Sequence, residues 1–356
     1  MINKDSLKIE WITETAKKHK SDPILVEKVV RALYLLEQLK KSNLDFIFKG
    51  GTALMLLLPE PKRFSIDIDI TISEKPKNIE SIFDSIIRNS NFIEFKEDER
   101  EVHADIEKSH YKFYYKSETN TREESEYILL DILYEDSHYG EHLSQIEIES
   151  PFVKTEDKNT QVTVPIPEAI LGDKLTAFAP NTTGVPYDRE KEVEIIKQLF
   201  DVGHLFDMIK NIDTVSTVFN QFAKTEISYR NLDANPEDVL NDILETAIVL
   251  ATRGKVGNGN FKELQTGIQN IKNYIFSENF HIERAMIPAA KAAYLSAILL
   301  SETKEICRFN TPLELANWTI QQPFETRLNK LKKTNPEAFF YWYETFIIRS
   351  NFRKVS

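Results

Sequence analysis

The chain has 356 residues, long enough for two domains each with its own core, and 41% apolar with 28% charged residues is an ordinary balance for a soluble globular protein. A single cysteine, Cys307, excludes an internal disulfide and any cysteine-rich zinc site. A net charge of −11 argues against a protein that coats nucleic acid over its whole surface, yet the charge is uneven: from Arg284 to Ser356 eleven Lys/Arg stand against six Asp/Glu. A basic tail on an acidic body suits one polyanion held in one place, and equally suits a solvated helical surface.

The opening twenty residues carry charges throughout with no apolar core of the secretory kind, which leads to the expectation of a cytoplasmic location. Asp22-Pro23 is a helix-start signal, and Ile24, Val26, Val29, Leu33 and Leu36 predict a helix to about Lys40. The period then changes: Phe46 to Phe48 is a short apolar strand ended by Gly50-Gly51, and Thr52 opens a buried helix stopped by Pro59 and Pro61. Phe64 to Ile72 alternates as a strand, Ile79 to Ser90 is helical, and strands are predicted at Phe92–Phe95, Tyr111–Tyr115 and Tyr127–Tyr134, with an acidic loop or hairpin face from Glu97 to Glu107. Beyond Pro165 and Pro167 the pattern is helical, with starts at Asn235-Pro236, Thr311-Pro312 and Asn335-Pro336. The expected division is a mixed α/β domain over 1–165 and a helical domain over 166–356. The stretch from Met286 to Leu300 is interrupted by Lys291 and too short to span a bilayer, so no membrane partner is expected.

Three elements carry candidate chemistry. Lys49-Gly50-Gly51-Thr52 lies between a strand and a helix, where glycines let backbone approach a ligand and the helix N-terminus offers unpaired N–H groups to a phosphate; by itself it is also just a tight turn. In Ser65-Ile66-Asp67-Ile68-Asp69-Ile70 the isoleucines face one side of a strand and Ser65, Asp67 and Asp69 the other. Two neighbouring carboxylates repel unless a cation sits between them, and a hard divalent ion such as Mg²⁺ is the natural one; the alternative is a solvated face of an edge strand. Asp131 interrupts the apolar run Ile128–Leu133, where an unpaired carboxylate is costly, so a structural salt bridge or a share in a metal site is needed. Three carboxylates can hold two metal ions that clamp a phosphoryl displacement. The histidines at 103, 110, 138, 142, 204 and 281 show no metal-site spacing, and the aromatic cluster from Phe339 to Phe346 suits a helix core or base stacking.

With these residues in view, KGGTAL, RFSIDIDI and LLDIL together resemble the polymerase-β-type nucleotidyltransferase fold, and within it the AbiEii/AbiGii toxin family of type IV toxin–antitoxin systems. The resemblance covers about residues 45 to 210. It implies an α+β protein: a mixed twisted sheet with flanking helices, followed by a mostly helical domain. It also implies nucleotide-binding roles for Gly50, Gly51, Thr52, Arg63 and Ser65, and metal-binding and catalytic roles for Asp67, Asp69 and Asp131. Two looser motifs carry further catalytic roles onto Lys174, in Glu168-to-Ala177, and onto Asp201, followed by Val202. Lys174 sits on a helix after Pro167, where it could neutralise triphosphate charge or be a solvated helix cation; Asp201 could equally partner a nearby base. The sequence departs from the family pattern at Gln198, where an acid is expected, and Arg189 or Lys191 is the candidate replacement for a cation of an Arg-rich loop.

The function this implies is a toxin that transfers a nucleoside monophosphate from an NTP to an RNA, the 3′ end of tRNA, releasing pyrophosphate. Mg²⁺ or Mn²⁺ is the expected cofactor and an antitoxin encoded nearby the expected partner. The alternatives are transfer to a protein or small-molecule hydroxyl, or a non-catalytic NTP-binding module.

Overall fold

A computed structural model describes residues 1–98, 107–120, 125–156, 159–301 and 303–355; His103 and most of the acidic stretch 97–107 lie outside them. Two compact units divide the chain, Met1–Ile166 with Asn273–Asn279, and Pro167–Lys272 with Phe280–Ser356. The short return of residues 273–279 to the first unit has no counterpart in the division at 165 expected from sequence.

The first unit is built on a seven-stranded mixed sheet. After a short 3-10 turn at Lys4–Leu7, helices α1 (Ile9–His19) and α2 (Pro23–Lys41) precede β1 (Ile47–Lys49), α3 (Gly50–Leu57), β2 (Ile68–Ile72) and α4 (Ile79–Asn89). Strands β3 (Phe92–Glu97), β4 (Lys108–Tyr115), β5 (Glu126–Tyr134), β6 (Leu143–Glu147) and β7 (Gln161–Pro165) follow. Their order is β3-β4-β5-β2-β1-β7-β6, with β2 parallel to β5, β1 parallel to β7, and the other neighbours antiparallel.

The helix α2 forms where its signals predict: the Asp22 side chain accepts from the Ile24 N–H, and Pro23 occupies the first turn, where its missing N–H costs nothing. Its apolar residues Val26, Val29, Leu33 and Leu36 are fully buried, as are Phe83 on α4, Ile68 and Ile70 on β2, and Leu130 on β5. These side chains make one core on one face of the sheet. Alternation then dictates what the other face carries. Along β5, Ile128, Leu130, Ile132 and Tyr134 are buried while Leu129, Asp131 and Leu133 are only half-buried; along β4, Ser109, Tyr111, Phe113 and Tyr115 are buried and His110, Lys112 and Tyr114 half-buried.

Several expectations are corrected. The strand predicted over 64–72 is laddered only from Ile68 to Ile72. Upstream, the chain is held instead by the returning segment: Arg63 bridges Ile275, the Phe64 N–H donates to the Tyr274 carbonyl at 2.8 Å, and the Phe276 ring packs on Phe64 with centroids 4.6 Å apart. The start at Thr311-Pro312 yields only the 3-10 turn Pro312–Leu315. Helix α1 and strands β6 and β7 are absent from the predicted elements.

The second unit is helical: α5 (Pro167–Ala177), α6 (Glu192–Met208), α7 (Ile212–Tyr229), α8 (Pro236–Ala251), α9 (Phe261–Asn270), α10 (Ile282–Ser301), α11 (Leu331–Thr334) and α12 (Pro336–Val355). Asn235 and Asp238 close α8 with a reciprocal capping box. On α12, Phe339, Phe340, Tyr341 and Trp342 are all buried, so those four rings form core and offer no stacking platform.

One buried anion fixes the turn between β4 and β5. Glu27 on α2, 1% exposed, accepts from the Ser117 hydroxyl (2.8 Å), the Glu118 N–H (2.9 Å) and the Thr119 N–H and hydroxyl (3.1 and 2.6 Å). Glu27→Ala strands these donors and the neighbouring Arg31 guanidinium. It should lower the stability of the first unit by about 3–5 kcal/mol in urea unfolding, with Glu27→Gln losing less.

Candidate active site

The glycine turn is shaped by the side chains opposite it. Gly50 has φ +78, a left-handed conformation that a β-carbon disfavours, and a β-carbon there would also collide with the Asp69 carboxylate. At Gly51 a β-carbon would lie 2.6 Å from the Ser65 hydroxyl and 2.8 Å from the Arg63 Nη2. Asp69, Ser65 and Arg63 therefore pack directly on the bare backbone that opens α3. The N-cap residue Lys49 makes no side-chain cap bond, and the N-terminus of α3, with its partial positive charge, lies beside this cluster.

Thr52 has a different task from a side-chain ligand. Its hydroxyl, fully buried, donates to the Asp67 carbonyl at 2.6 Å and ties the start of α3 to the strand lead-in. Arg63 is 6% exposed, and its Nη1 donates to the Phe64 carbonyl at 2.9 Å.

The carboxylates come together through strand register. Asp69 on β2 and Asp131 on β5 are partners in the parallel ladder, so their backbones lie about 4.8 Å apart and their side chains share the half-buried face. Asp67 precedes Asp69 by two residues. Lys49 is the register partner of Asp69 on the other side, and His110 that of Asp131, to which its Nδ1–H donates at 2.7 Å. The sequence gives no ligand spacing that singles out His110. Alternation along β4 does put it on the open face, but only the pairing register shows that it meets Asp131.

The donor chemistry of Asp67, Asp69 and Asp131 fits a hard divalent ion: all are carboxylates, and register brings two of them side by side. The side chains as they stand are not gathered around a common point. Asp131 is engaged with His110 and Asp69 lies over Gly50, and among the described residues no group of three or more His, Cys, Asp or Glu is arranged to hold a metal.

In the second unit, Lys174 on α5 and Asp201 on α6 form a buried ion pair, Nζ to Oδ2 2.8 Å, with side chains 9% and 2% exposed. The Lys174 Nζ also donates to Gln198 Oε1 at 2.9 Å, so the residue standing where an acid was expected completes the ammonium's surroundings. Lys174 is thus no solvated helix cation.

Two outcomes follow. Gly50→Ala should destabilise the first unit by at least about 1–2 kcal/mol from the left-handed backbone alone, and calorimetry should show a lowered Tm. Lys174→Met leaves the Asp201 carboxylate buried without its cation and should cost the second unit about 3–5 kcal/mol in urea unfolding.

The chain is similar to several known proteins. Among solved structures, JHP933 from Helicobacter pylori is 16% identical, covering 78% of this chain and 93% of its own with a TM-score of 0.45. MenT4, a nucleotidyltransferase toxin from Mycobacterium tuberculosis, is 10% identical over 81% of this chain and 89% of its own, TM-score 0.44. An antigenic nucleotidyltransferase-like protein from Paracoccidioides brasiliensis is 13% identical over 58% and 91%, TM-score 0.35. No curated protein matches the chain. No helix among the described residues is long and apolar enough to cross a membrane. The profile of the nucleotidyl transferase AbiEii toxin family, of type IV toxin–antitoxin systems, matches residues 32–266, and the chain belongs to that family.

Proposed function

We propose that the chain transfers a nucleoside monophosphate from an NTP to an RNA acceptor, the 3′ end of a tRNA, and releases pyrophosphate. The observation that carries this reading is the register pairing of Asp69 and Asp131 beside the glycine turn that opens α3. In the proposed reaction the acceptor hydroxyl oxygen bonds to the α-phosphorus, the bond from that phosphorus to the bridging oxygen breaks, and pyrophosphate leaves with the electron pair. Asp131 takes the hydroxyl proton. The backbone at Gly50, Gly51 and Thr52 meets the phosphates, flanked by the Ser65 hydroxyl and the Arg63 guanidinium.

Asp67, Asp69 and Asp131 are the residues that would hold Mg²⁺ or Mn²⁺. A bound divalent ion supplies neutralisation of phosphate charge and a lowered pKa for the attacking hydroxyl. Within the second unit Lys174, paired with Asp201 and bonded to Gln198, is the further catalytic cation of this reading, as the family resemblance implies. The cognate antitoxin is the protein partner of this reading, and the cytoplasm its compartment.

Incubating the full chain with each labelled NTP, Mg²⁺ and total RNA tests the proposal. Wild type should label RNA, and Asp69→Ala should lose about 100-fold or more, the scale of removing one electrostatic contact to developing charge. Label on a protein or small molecule would instead identify the acceptor as a hydroxyl of that class. No label anywhere would leave a nucleotide-binding module without transfer. Reversing the charges of Lys330, Lys332 and Lys333 should weaken RNA binding, with a loss that shrinks at high salt. Unchanged binding would remove the basic tail as the RNA site.

A further inference from the structure

Four side chains stand in one transverse row across the open face of the sheet: Lys49 on β1, Asp69 on β2, Asp131 on β5 and His110 on β4, each the register partner of the next. The row ends in the hydrogen bond from His110 Nδ1–H to Asp131 Oδ1. We propose that His110 is a positioning residue for nucleotidyl transfer, holding the Asp131 carboxylate in place against the repulsion of Asp69. The proposal rests on the reading of Asp131 as part of the transfer site.

A carboxylate on a sheet face has more than one open rotamer, and a like charge on the adjacent strand favours those that swing it away. The imidazole ring counters this from the opposite side. It has only two rotatable bonds and sits in register, so it fixes one oxygen of Asp131 and leaves Oδ2 for a ligand or an attacking hydroxyl. A lysine would neutralise the charge on a stem that follows the carboxylate wherever it moves. The same-face neighbour on β4, Lys112, is committed elsewhere, to Asp98 at 2.7 Å. The pair is also open enough for a substrate to reach, with side chains 16% and 29% exposed. Carboxylates that hold a ligand are commonly oriented by such an outer hydrogen bond, whose loss costs about 10–100-fold.

The test uses the full chain carrying His110→Ala, His110→Asn, Asp131→Ala and the double variant His110→Ala/Asp131→Ala. The readouts are label transfer, KM for the NTP, Mn²⁺ affinity by electron paramagnetic resonance in a mixture of the four NTPs without acceptor, and Tm. His110→Ala should lower kcat and Mn²⁺ affinity about 10–100-fold while leaving KM for the NTP and Tm near wild type. His110→Asn, whose amide N–H lies close to the Nδ1 position, should recover most of the loss. In the Asp131→Ala background, removing the ring should cost nothing further, because the two act as a unit. Wild-type transfer by His110→Ala beside an inactive Asp131→Ala would overturn the inference alone. So would equal losses in both His110 variants accompanied by a lowered Tm, which would make the ring a purely structural partner. Wild-type transfer by Asp131→Ala would overturn the reading of Asp131 itself, and the role of His110 with it.

Discussion

Two like charges held on adjacent strands are the constraint around which the first unit is organised. Register fixes Asp69 and Asp131 as neighbours. Like charges directly opposite one another on neighbouring strands destabilise a ladder, and a domain has only a few kcal/mol to spare. Nothing in the fold forces acids into these positions; leucine or threonine would satisfy the same ladder. What surrounds them offsets the repulsion: the imidazole of His110 on one flank, the Lys49 position on the other, and the N-terminus of α3 beside Asp69.

The same constraint explains why the two sequence motifs belong together. Gly50 is bare because Asp69 occupies the space of its β-carbon, and Gly51 because Ser65 and Arg63 occupy the space of its own. Thr52 adds the third tie, its hydroxyl on the Asp67 carbonyl. KGGT and RFSIDID are therefore two halves of one packing unit, and either half changed alone would open or crowd the other. Because the interlock runs through side chains meeting backbone, it tolerates few residue types, which is what makes the motif readable at all.

Much of this was legible before any coordinates. The start and spacing of α2, the glycine turn, the alternation of β2, the apolar run of β5 and the Asn235-Pro236 start of α8 are local signals, set by residues within a few positions of one another. What was not legible depends on distant pairing. Residues 64–67 alternate like a strand yet lack a ladder: Arg63 and Phe64 pair with Ile275 and Tyr274, about two hundred residues on, and the Asp67 carbonyl accepts from Thr52. The strands β6 and β7 are short and polar enough to resemble loops until they pair with each other and with β1. His110 escaped for the same reason: a histidine on a strand face acquires meaning only from the residue that register sets beside it.

The two ion-pair-like contacts singled out by this chain differ in a way that separates their consequences. Lys174 and Asp201 are almost wholly removed from water, and such a pair rarely stabilises a fold more than apolar side chains of the same size would. Its retention in a helical core therefore asks for a reason beyond stability, and a fixed counter-ion holds the lysine in one position. His110 and Asp131 remain partly solvated, so their contact costs little to form and little to remodel when a ligand arrives. A buried pair suits a group that must hold one position. A half-exposed pair suits a carboxylate that must be aimed in advance and still be reached, which is what a residue accepting a proton from an incoming hydroxyl requires.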